Sequence, residues 1–167
     1  MKSYALKLEE AKSLADIFEL VKEGVRTVMK TGRAGLTLGL VELGGCQNYW
    51  VGAFYPVGSN TIIMNKVPLM RIAETDPRLY NAYAFHVLLH EYLHSLGYIE
   101  EQEARNFVLW ISRELFGEDH VVTQMAKNIT RFLPNLTYPT PGYIRDLENV
   151  EIEMVNGFDR SSINYIM

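Results

Sequence analysis

The sequence predicts a single α+β domain, and three observations carry that expectation. Apolar residues recur every three or four positions between Leu14 and Met29. Short β-branched and aromatic runs separated by glycines occupy residues 36–65. Two helix-length stretches follow Asp76-Pro77, divided by Gly97. At 167 residues the chain can bury a core without disulfide staples, and a composition 48% hydrophobic and 22% charged is far from that of disordered chains.

In chain order, Leu14, Ile17, Phe18, Val21, Val25, Val28 and Met29 form one stripe of an amphipathic helix, expected as an N-terminal packing helix. Residues 36–43, 49–55 and 61–65 read as three short strands with hairpin connections, punctuated by Gly44-Gly45, Pro56 and Gly58-Ser59-Asn60. Asp76-Pro77 marks a turn or helix start, and the apolar-rich stretch over residues 80–96 reads as a helix stopped by Gly97. A second helix is expected over residues 100–115, ended by Phe116-Gly117, and a third over residues 119–132, ended by Leu133-Pro134. Residues 150–155 read as one more strand. The expected organisation is a domain over residues 1–133 with a Pro-containing extension, residues 134–167, packed on the same domain.

Charge and cysteine content narrow the function. A formal net charge of -4 with no clustered Lys/Arg stripe argues against nucleic acid, because phosphate binding needs a concentrated basic footprint. Acidic residues Glu9 and Glu10 stand where a signal peptide needs apolar ones, and no run approaches roughly 18 uncharged apolar residues. The expectation is a cytoplasmic protein with no membrane partner, acting on a peptide, protein or small ligand. The single cysteine, Cys46, excludes an internal disulfide and any zinc site built from several cysteines, so a metal site must draw on histidines and carboxylates. Cys46 itself reads as a small buried apolar residue or, alternatively, a thiolate cap on such a site.

The residues that carry chemistry are His90-Glu91-Tyr92-Leu93-His94. On a helix His94 lies about 40° around the axis from His90 and about 6 Å along it, so both imidazoles reach one ion. Glu91 lies about 60° from His94 and flanks the pair, within reach of a water on the metal. Phe85, Leu89 and Leu96 fall on the other side and supply a packing face. With 4 histidines in the chain, chance placement yields this pattern in fewer than roughly one chain in a hundred. The competing explanation is a pair of ordinary surface or core histidines.

This five-residue segment resembles the zincin metallopeptidase signature, and strand, active-site helix and following helix occur in the zincin order. The resemblance implies a zincin-like domain, a catalytic Zn2+ held by His90 and His94, and Glu91 as general base and acid. The wider similarity spans residues 48–116.

A catalytic zinc takes three protein ligands and leaves one position open. Glu103, in Glu101-Gln102-Glu103-Ala104, resembles the glutamate that the following helix supplies in gluzincins, and is the expected third ligand. Glu100 is the alternative, since His90-Glu91-x-x-His94-x-x-Gly97-x-x-Glu100 is similar to the metzincin pattern with glutamate in place of the last histidine. Glu114 matches the spacing of larger gluzincins, but the connection between helices looks too short to use it. Acidic residues in a first helical turn also stabilise the helix without binding anything. His86 is about 12 Å along the axis from His94 in Cα terms, too far for a three-histidine site, and is expected to support or pack. His120 reads either as a donor to an oxyanion or as a helix start.

The resemblance thus implies a zinc metallopeptidase in which Glu91 accepts a proton from water and delivers it to the leaving amine. The strand at residues 52–55, or its neighbour at 61–65, is a candidate edge for an extended substrate. The tail after Pro134 could cross the cleft and hold the enzyme latent, or pack as an ordinary extension. A competing function is a catalytically weak, zinc-dependent regulatory or protein-binding module, and hydrolysis of a non-peptide amide uses the same groups.

Overall fold

The apolar stripe between Leu14 and Met29 is a helix in the computed structural model, which describes residues 2–43, 50–134, 136–137 and 151–159. A short helix α1 (Tyr4–Glu10) precedes this helix, α2 (Leu14–Met29). Ser13 caps α2 by accepting from the Asp16 amide, while the Asp16 carboxylate accepts from the Lys12 amide, so orphan donors at the entry are satisfied from both directions. Ile17, Phe18, Val21 and Val25 are buried along the inner face. At Gly24 an added Cβ would lie 2.4 Å from Leu115, which explains glycine in mid-helix: α2 runs close to a later helix there.

Strands β1 (Thr37–Val41), β2 (Trp50–Val51), β3 (Ala53–Phe54) and β4 (Thr61–Asn65) come next, and β6 (Glu153–Met154) joins near the C-terminal end. The four-stranded sheet has the order β3-β4-β1-β6. β3 and β4 form the expected antiparallel hairpin, with Phe54 opposite Ile63. β1 instead lies parallel to β4, Thr37 opposite Thr61 through Val41 opposite Asn65, so the expected hairpin connection out of β1 is replaced by a crossover. β2 leaves this sheet and pairs in parallel with β5 (Leu136–Thr137).

Side chains alternate across the sheet. Leu38, Ile62 and Met64 belong to the main core, and Val41, Phe54 and Ile63 to a smaller cluster with Leu43. Asn65 is fully buried at the end of β4. Its side chain accepts from the Leu43 and Val67 amides at 3.0 and 3.1 Å, and donates to the Leu43 and Val51 carbonyls. One amide thereby joins the ends of β1 and β2 to the start of α3 (Lys66–Thr75), a helix the sequence did not announce.

The long central helix α4 (Tyr80–Ser95) is preceded by a 3-10 turn at Pro77–Leu79 and buried on nearly all sides. Asn81 donates to the Leu8 and Ala11 carbonyls at its start, and Arg33 donates to the Ser95 carbonyl at its end. The same guanidinium reaches Tyr55 and the Ser59 carbonyl, so the carbonyl-rich end of α4 is tied by a cation to the β3–β4 hairpin. Helices α5 (Glu101–Phe116) and α6 (Val121–Lys127) pack on α4. α6 is shorter than the helix expected over residues 119–132: Asn128 turns to φ -159°, and the chain continues in a 3-10 turn at Ile129–Arg131.

Residues 151–159 return to the body of the fold. β6 pairs antiparallel with β1, Phe158 stacks on Phe18 at 4.1 Å, and the buried Asp159 carboxylate accepts from Lys22 at 2.6 Å and from the Leu36 amide. The molecule is thus mixed α/β. Among the described residues no helix is long and apolar enough to cross a membrane.

Candidate metal centre

The last two turns of α4 carry the site. His90, Glu91 and His94 are all buried there, Glu91 only 2% exposed, and their candidate ligand atoms lie within 4.8 Å of one another. The imidazole Nε2 atoms of His90 and His94 are 3.1 Å apart. The third group at this point is Glu101, on the first turn of α5: its Oε1 lies 2.8 Å from His90 Nε2 and 3.1 Å from His94 Nε2.

The turn between α4 and α5 makes that meeting possible. Gly97 adopts φ +108°, a conformation strained for any side chain, and the chain reverses so that the Tyr98 carbonyl faces His94 Nδ1 at 2.8 Å. A carbonyl can only accept, so Nδ1 carries the proton, and in the neutral ring Nε2 is left as a bare lone pair. That lone pair faces the Glu101 carboxylate, another acceptor. Two acceptors at this distance are held together by a proton or a cation between them.

The donor set fits a divalent ion. Three donors about 2.1 Å from a tetrahedral zinc stand about 3.4 Å apart, so the three side chains would open by a few tenths of an ångström around an ion, and two imidazoles with one carboxylate are a zinc ligand set. Glu91 Oε2 is buried without a hydrogen-bond partner among the described residues. A buried oxygen of that kind beside these side chains would be placed to bond a water on an ion held there.

Burial and neighbouring charges act on each of these groups. Burial pushes the Glu91 carboxyl above its ordinary pKa, and the neighbouring imidazoles only partly oppose the rise. Burial also acts against both Glu101 and His94 in their charged forms. The two imidazoles nevertheless hold Glu101 well below the usual carboxylate range, and Glu101, Glu91 and the Tyr98 carbonyl raise His94.

The structure departs from the sequence expectation at the third ligand. Glu103 is exposed and does not meet the histidines; Glu101 does. The reason is helix phase. Ala104, Val108 and Ile111 define the buried face of α5, and Glu101 lies about 20° from Val108 around the axis while Glu103 lies about 140° away. That phase was available in the sequence; the small residue after Glu103 was the weaker clue. Glu100, the alternative, caps α5, its carboxylate accepting from the Gln102 and Glu103 amides. Glu114 is exposed further along the helix.

His86 is buried one turn before His90, and burial lowers its pKa to about 3. With His90 it lines a cleft of about 540 Å³ between α4, α5 and the segment after α6. His120 does not line that cleft. It caps α6 by accepting from the Val122 amide and stacks on Phe116. The two candidate substrate strands also separate: β4 is paired on both sides, whereas β3 stands at an end of the four-stranded sheet. Cys46 lies outside the described residues, as does most of the tail after Pro134, including Pro139 and Pro141.

No family model matches the chain, and neither the curated proteins nor the solved structures contain a significant match.

Proposed function

We propose that the protein is a zinc metallopeptidase with a zincin-like arrangement, in which His90, His94 and Glu101 hold the ion and Glu91 is the general base. The observation that carries this reading is the approach of Glu101 Oε1 to both imidazole Nε2 atoms, on a helix whose intervening residue Glu91 has an unbonded buried oxygen. The order of sheet, site helix and glutamate helix supports it.

When bound, zinc supplies Lewis acidity, polarising a carbonyl and lowering the pKa of water. The chain's own groups do the rest. The Tyr98 carbonyl fixes the tautomer and orientation of His94 through Nδ1. Glu91, its pKa raised by burial, takes a proton from the attacking water at Oε2 and passes it to the leaving nitrogen. Arg33, gripping the end of α4, keeps the two histidines in register with the β3–β4 hairpin.

The test is hydrolysis of a peptide mixture by zinc-loaded protein, followed by mass spectrometry. Glu91→Gln is expected to retain zinc and to lose at least about a hundredfold in rate, the usual scale for a general base. A wild-type protein that cleaves nothing, or a variant that cleaves equally well, contradicts the proposal.

A further inference from the structure

The charged side chains among the described residues lining the cleft beside His90 are all cationic. The chain as a whole carries a net charge of -4, yet the described residues lining the cleft include Arg105 and Lys127 and no aspartate or glutamate. The two cations are not equivalent. Lys127 is ion-paired with Glu118, outside the cleft. Arg105 is half-exposed, and its one ion pair among the described residues is with Glu101, the nearest approach being Nε at 3.4 Å from Oε2; the two terminal nitrogens have no hydrogen-bond partner among the described residues. The guanidinium therefore stands one carboxylate's width from the atoms that would hold the metal, with its fork open to the cleft. Val108, Met125 and Leu136 give the cleft an apolar floor, and Asn106 and Asn128 add amides to its wall.

We infer that this cleft is a carboxylate subsite: Arg105 binds a carboxylate of the substrate while the neighbouring residues of the chain lie over the apolar floor. The inference rests on the metallopeptidase reading and adds a substrate class to it. A planar guanidinium with two free donors matches a carboxylate by paired hydrogen bonds, which a lysine in the same place would not. The carboxylate comes either from the C-terminus of a peptide or from an aspartate or glutamate side chain.

Calorimetric binding of three dipeptide hydroxamates to zinc-saturated protein separates these cases. One probe ends in a free carboxylate, one in a primary amide, and one in a primary amide with an aspartate side chain. At least one carboxylate probe is expected to bind about tenfold or more tighter than the neutral probe, and which of the two does so identifies the source. In Arg105→Gln, an exposed position that leaves the core intact, the preference is expected to vanish with one zinc per chain still bound. Equal affinity for all three probes in the wild type, or a preference that survives Arg105→Gln, overturns the subsite while leaving the metal centre in place. A protein that takes up no zinc overturns the metal centre itself, and the subsite falls with it.

Discussion

Glu101 Oε1 lies 2.8 Å from His90 Nε2, although the two residues sit on different helices joined by a turn. The distance depends on the turn at Gly97, just past the end of α4, and on α5 starting with Glu101 on its buried face. It gives two neighbouring glutamates opposite consequences. Glu101→Gln is expected to lower zinc affinity by at least about a hundredfold, measured by competition with a chromophoric chelator, because it removes a charged ligand. Glu103→Gln, on the exposed side of the same turn, is expected to leave affinity unchanged.

The turn itself is open to test. An alanine Cβ at Gly97 meets no atom within 4 Å, so Gly97→Ala adds only backbone strain at φ +108°. A cost of about 2 kcal/mol in urea unfolding is expected. Shifting the Tyr98 carbonyl away from His94 Nδ1 is expected to weaken zinc binding by about tenfold as well. Loss of stability with zinc affinity intact would separate the turn from the site.

His86 makes stability depend on acid. Burial, with the charges of His90 and Arg105, lowers its pKa from the ordinary 6.5 to about 3 in the folded chain. The unfolded chain therefore binds a proton first as pH falls. His86 favours folding fully above about 6.5, and that contribution declines down to about 3, by about 1.4 kcal/mol per pH unit where only the unfolded form is protonated. His86→Gln should show a shallower fall in metal-free stability than the wild type between pH 6 and 4. Parallel curves would mean that the imidazole is protonated in the folded protein too.

Much of this was legible in the sequence, for local reasons. The helix carrying His90 and His94 announces itself by its apolar content and by Gly97, and the geometry of residues one turn apart follows from helix pitch. What escaped was set by distant partners. Asn65 is both the last residue of β4 and the cap of α3, so strand passes into helix with no loop between them, and the local marker of the start is Pro68 in the first turn of α3. The parallel pairing of β1 with β4 is decided by register across the sheet, which the run of short strands does not reveal. Glu101 lay between the two. Its position on the buried face of α5 could be read from Ala104, Val108 and Ile111, but its distance from His90 needed the turn at Gly97.

The metal content of purified protein, after saturation with zinc and removal of the excess, tests the centre most directly. One zinc per chain is expected in the wild type, lost in both His90→Ala and His94→Ala while circular dichroism shows the helices retained. A wild-type protein that holds no zinc, or variants that hold as much as the wild type, would contradict a metal centre at these residues.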